Sequence, residues 1–143
     1  MNIEKALQKF QDMESLIVGG TTFETEGIDE IRLETGESIY WVKDGGDVWL
    51  SLDPQSEEII LFTVIEDEID YSGETVVYRG DDWEFEYESE AMIVEDGEET
   101  DEIMFRDFEG PNGRVLRVVE NMVTGDISAS VGEKVTEDDI QEE

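Results

Sequence analysis

At 143 residues the chain favours a single domain with room for a real core, but its 41 acidic residues face only 9 basic ones, a net charge of −32. With no cysteine and no histidine, disulfides, thiolate or imidazole metal sites, cysteine nucleophiles and histidine acid–base chemistry are excluded. A charge of this sign repels nucleic acids and anionic membrane surfaces and attracts metal ions, polyamines and basic proteins. Crowded carboxylates also oppose compaction, so added salt, or acidification towards about pH 5, is expected to stabilise the fold.

Residues 2–14, NIEKALQKFQDME, carry Ile3, Ala6, Leu7, Phe10 and Met13 at helical spacing, with Asn2 as N-cap. This predicts an amphipathic helix over 1–15, without the basic start and cleavage site of a secretory leader. No apolar run reaches the roughly 20 residues that span a bilayer. The expectation is a soluble cytoplasmic protein that does not insert in membranes.

Beyond the Gly-Gly pair at 19–20 the apolar period becomes two, which predicts a single antiparallel β domain over 21–135. TTFETE has high strand propensity. IDEIRLE, SIYWVK and DVWLSL are separated by turn signals at 35–37 and 44–46. EEIILFTVIE is the most apolar run and reads as a strand buried on both faces. TVVYR and WEFEYES follow, then AMIVE and EIMFRDFE around the acidic turn DGEETD. GPNG is a turn, RVLRVVEN and ISASVG are strands, and 136–143 reads as a frayed acidic tail. In DWEFEYE the alternation assigns Trp83, Phe85 and Tyr87 to a dry face and Glu84, Glu86 and Glu88 to a wet one. Nine or ten short strands with one N-terminal helix predict an antiparallel β sandwich or open barrel. The likeness of YWVKDGGDVWLSL to VYRGDDWEFEY reads as convergence of one-sided hairpins rather than as a duplication.

The segments DEIRLETGESIYWVKDGGDVWLSL, VVYRGDDWEFEY and RVLRVVENMVTGDISASVGEKV resemble the domain-of-unknown-function family 4178. Glu30, Trp41, Trp49, Tyr78, Gly80, Glu120, Gly125 and Gly132 fall on that family's pattern, while Asp29 replaces an aromatic often found there. The resemblance implies a β-rich domain with no established activity. It also implies an accessory role by association with membrane-stress and polyamine-related genes.

Several constellations offer chemistry. Glu66, Asp67 and Asp70 in EDEID, and Asp96, Glu98 and Asp101 in EDGEETDE, supply hard oxygen ligands for calcium or magnesium, yet neither stretch has the EF-hand spacing. In so acidic a chain a diffuse counter-ion atmosphere is the simpler reading. Paired carboxylates for glycoside hydrolysis need a defined separation that sequence does not show. Glu120, after the apolar run VLRVV, is expected to pair with Arg114 or Arg117 or to accept from the TGD turn amides. Tyr40, Trp41 and Trp49 read as core, with an aromatic ligand platform as the alternative. The resulting expectation is a non-enzymatic binding or accessory module without a cofactor. Its partner is a protein with a basic or apolar patch, with cations or polyamines as further candidates. The alternatives are an acidic decoy for a nucleic-acid-binding protein and, third, a carboxylate-based cation-binding protein or hydrolase.

Overall fold

The computed structural model describes residues 1–143. Helix α1 spans Ile3–Gln11; Asn2 caps it by accepting from the Lys5 amide, and Ile3, Ala6 and Phe10 form its buried stripe. Twelve strands follow: β1 Leu16–Val18, β2 Thr21–Phe23, β3 Gly27–Leu33, β4 Ser38–Lys43, β5 Val48–Asp53, β6 Glu58–Ile65, β7 Thr75–Tyr78, β8 Asp81–Glu95, β9 Glu98–Glu109, β10 Val115–Asn121, β11 Ile127–Val135 and β12 Ile140–Glu142.

Eight of them close an antiparallel barrel in the order β3-β4-β5-β6-β11-β10-β9-β8, with β3 pairing back onto β8. The antiparallel β expectation is met in its barrel form, and closure removes the free edges of the eight strands except along the middle of β8. The strands outnumber the expected nine or ten, and β8 and β9, at 15 and 12 residues, are not short. One edge of β8 is shared: its first residues pair with β7 and its last with β3. Two-residue turns join the long hairpins, Arg79–Gly80 and Asp96–Gly97, with φ of 50° and 82°, and 52° and 81°. These are the positive-φ turns that match strand twist. The expected six-residue acidic turn is therefore two residues long, and its remaining acids belong to β9.

Strand alternation sends side chains either into the lumen or outward. Ile31, Ile39, Trp41, Trp49, Ile60, Phe62, Ala91, Ile103, Phe105 and Val115 fill the lumen. Outward residues Val42, Leu50, Leu52 and Ile59 pack beneath α1 and the small sheet β12-β1-β2. Adjacent Ile59 and Ile60 enter different cores, so β6 is covered on both faces, as predicted. A third cluster joins Leu116, Val118, Ala129 and Val131 to Val76, Tyr78 and Trp83 on the β7 side.

Two further expectations need correction. Residues 136–143 are not frayed: a 3₁₀ turn at Glu137–Asp139 leads into β12, Ile140 is buried, and the Glu137 carboxylate accepts from the Ile3 amide at 2.5 Å. One apolar side chain and pairing to β1 suffice to dock an otherwise acidic segment. The dry face of β8 is also split. Trp83 is buried, but Phe85 and Tyr87 are 38% and 43% exposed. A bulge at Glu86 shifts the register, so Phe85 faces Phe108 while Tyr87 faces Asp107. Successive residues of β9 point to opposite sides, so Phe85 stays with the outer cluster and Tyr87 turns towards the lumen.

Candidate functional site

One end of the barrel opens into a cavity of about 470 Å³. Its walls come from the strand ends that meet there: Trp41 and Lys43 of β4, Trp49 of β5, Ile103 of β9, Val119 of β10 and Ser128 of β11. Size and lining are those of a small-molecule site, apolar walls with a few polar groups. At the rim the Lys43 ammonium lies 3.0 Å from the Asp29 carboxylate. Asn121 is fixed from both ends: its amide nitrogen donates to Asp101 at 3.0 Å, and its oxygen accepts from the Val123 and Thr124 amides. Asp126 adds a further carboxylate to the rim.

Below the cavity a buried ion pair blocks the lumen. Arg117 donates to both oxygens of Asp107, at 2.7 and 2.9 Å, and to the Ser51 hydroxyl at 2.8 Å. Its guanidinium lies 4.8 Å from the Phe62 ring centre, 4.9 Å from Phe105, 5.7 Å from Trp41 and 5.9 Å from Trp49. These four rings surround the cation, so Arg117 is hydrogen-bonded in its plane and covered on its faces. Trp49 stacks on Phe62 at 4.5 Å and donates from its indole nitrogen to Ser130 at 3.0 Å. The Trp41 indole N–H is buried and meets no acceptor in the protein. Gly132 sits on the lumen side of β11, where an added Cβ would come within 2.6 Å of Phe62 and 2.7 Å of Ile60.

The sequence-derived candidates scatter. Asp67 lies 3.8 Å from Arg79. Asp70 accepts from the Ser72 hydroxyl and amide, which hold its carboxyl below the usual carboxylate range. Glu66 shares their loop, Asp96 forms a hairpin turn, Glu98 opens β9 in solvent, and Asp101 is bound to Asn121. No group of three or more acidic side chains is placed to hold a metal ion.

Among the family-pattern positions, Trp41, Trp49 and Gly132 meet in the lumen. Glu30 faces outward and accepts from Ser38 and Arg32. Tyr78 packs on Trp83, and Gly80 and Gly125 serve turns at φ of 82° and 80°. Glu120 has none of its expected partners: Arg117 is taken by Asp107, Arg114 lies near Glu133, and of the turn amides those of Thr124 and Gly125 donate to Asn121 and that of Asp126 to the Thr124 hydroxyl. Tyr40, Trp41 and Trp49 form no common platform, because Tyr40 faces outward beneath α1 while both tryptophans face inward. Sequence reasoning missed Asp107 and Ser51 and gave Arg117 the wrong partner. The available signal was an arginine inside VLRVV, with Val115 and Val119 two residues to either side, and an aspartate inside FRDF, two residues after Phe105.

A family model described as Domain of unknown function (DUF4178) matches residues 14–137. No curated protein and no solved structure matches the chain.

Proposed function

The chain belongs to the DUF4178 family, and from that premise and the geometry of the barrel mouth we propose that it is a non-enzymatic accessory module docking a protein partner at the open end of the barrel. The observation that carries this reading is a group of exposed apolar side chains in a chain of net charge −32. Val64 and Ile127 line the mouth, and Met122 and Val123 follow Asn121 on the adjoining hairpin, Val123 being 67% exposed. Glu66, Asp67, Asp101 and Asp126 lie on the same loops and strand ends. Apolar area ringed by carboxylates suits a partner segment that carries apolar side chains flanked by lysine or arginine. The association with membrane-stress and polyamine-related systems that the resemblance implies supplies the first partners to try.

The test is capture on immobilised protein at low and high salt, comparing wild type with Val123→Glu and Ile127→Glu after confirming that both variants melt like wild type. A partner held at high salt and lost from both variants supports the reading. A captured protein held equally by wild type and variants rejects it. Nucleic-acid-binding proteins released by salt from all forms alike would instead favour the decoy alternative.

A further inference from the structure

We propose that the barrel mouth is also a small-molecule site, taking an uncharged, largely apolar ligand with one hydrogen-bond acceptor oxygen directed at the Trp41 indole N–H. This does not rest on protein docking, because it concerns the lumen walls rather than the rim.

Three observations specify the ligand. The first is shape. The cavity, about 470 Å³, falls within the range of small-molecule sites, and the ring-covered Arg117 beneath makes it blind. A ligand therefore enters from one end and stops against Trp41 and Trp49. The second is charge. Lys43 is matched by Asp29, and Asn121 is bonded at both ends of its amide, which leaves Asp126 as the rim's excess charge. With the chain at −32, an anion is repelled. The third is the unmade hydrogen bond. Buried donors without partners are rare and costly. Of the buried indole N–H groups lacking an acceptor, those of Trp41 and Trp83, it is Trp41 that lines this cavity. Trp41 is 6% exposed and its side chain lines the cavity, so a carbonyl, ether or hydroxyl oxygen on a ligand seated against it would supply the missing acceptor. Ser128 offers a second polar contact at the mouth.

A matched set of probes on one ring frame separates these terms: 2-acetylnaphthalene (neutral, with an acceptor), 2-ethylnaphthalene (neutral, without one) and 2-naphthoate (anionic). Binding is followed by quenching of tryptophan fluorescence and by calorimetry. On the wild-type protein the acetyl probe should bind about 3–10-fold more tightly than the ethyl probe, the worth of one neutral hydrogen bond, and the naphthoate should bind weakest. Trp41→Phe, which keeps a ring but removes the N–H, should bring the acetyl and ethyl probes to equal affinity. Val123→Glu on the rim should leave the preference of acetyl over ethyl intact, so that a failure of docking and a failure of this site are told apart. The proposal is overturned if no probe binds up to its solubility, if the two neutral probes bind wild type equally, or if naphthoate binds best. The wild-type comparison alone decides the matter should Trp41→Phe fail to fold.

Discussion

Replacing Arg117 by methionine tests how the barrel interior is held together. As whole residues, Arg117 is 4% exposed and its partner Asp107 8%. Substitution removes three hydrogen bonds of 2.7–2.9 Å and leaves the buried Asp107 carboxylate without its cation. Breaking a buried pair from one side costs about 3–5 kcal/mol, most of it the stranded charge rather than the lost attraction. In a chain of this size roughly 3 °C of melting temperature follows each kcal/mol, so the variant should melt roughly 9–15 °C lower. The double variant Arg117→Met/Asp107→Leu removes the stranded charge and should recover most of the loss, since apolar replacement of a whole buried pair is commonly neutral or stabilising. Urea titrations followed by far-ultraviolet circular dichroism give both values without depending on the neighbouring tryptophans. If the single and double variants fall by the same amount, the cost lies in packing the aromatic box, and the reasoning from stranded charge is wrong.

Gly132→Ala should cost about 1–3 kcal/mol by overpacking against Phe62 and Ile60, both buried. Gly73→Ala, where a Cβ meets nothing within 4 Å, should leave the urea midpoint unchanged. Ile140→Ala should cost about 2–5 kcal/mol, the range for truncating a buried isoleucine, whereas a frayed tail would show no loss. The Tyr40 hydroxyl is held above its ordinary range, first by burial and then by the charge of Glu30. Its neutral form is therefore favoured by the fold, and that contribution is intact below about pH 10 and lost as pH climbs through the raised value. A spectrophotometric titration should show a late tyrosinate phase that Tyr40→Phe removes and Glu30→Gln moves to lower pH. Persistence of that phase in Tyr40→Phe would contradict the assignment.

The hairpins were legible because their signals are local. Asp96–Gly97 and Arg79–Gly80 need positive φ, and the apolar period on either side reports which face is buried. The helix was legible for the same reason: Asn2 and the Ile3, Ala6 and Phe10 stripe lie within three turns. What escaped depends on distant partners. Closure of the barrel rests on pairing of Ile31 with Ile93, and β12 forms only because β1 is there to receive it. The bulge at Glu86 leaves no mark in DWEFEYE, since alternation reads the same whether or not one residue is skipped, yet it turns Tyr87 to the opposite face. At the candidate site the individual aromatics were visible as inward residues. Their convergence on Arg117 was not, because a charged residue in an apolar strand says only that a partner exists and not where it sits.

The scarcity of cations decides what the barrel mouth can recognise. Of the nine basic residues, Lys9, Arg32, Lys43, Arg79, Arg106, Arg114, Arg117 and Lys134 all lie within 4 Å of a carboxylate. Seven of these residues pair at the surface or its margin, where each pair is worth little and is screened by salt. Arg117 alone is committed to the interior, where it stands between the two ends of the lumen. The mouth above it keeps one cation, Lys43, already opposed by Asp29. Negative charge arriving there would find no unpaired cation, while a basic flank on a partner would meet carboxylates on several loops. An uncharged ligand oxygen would meet the buried indole of Trp41. On the two proposals, charge would select what approaches the rim, and the hydrogen bond left unmade in the lumen would select what enters.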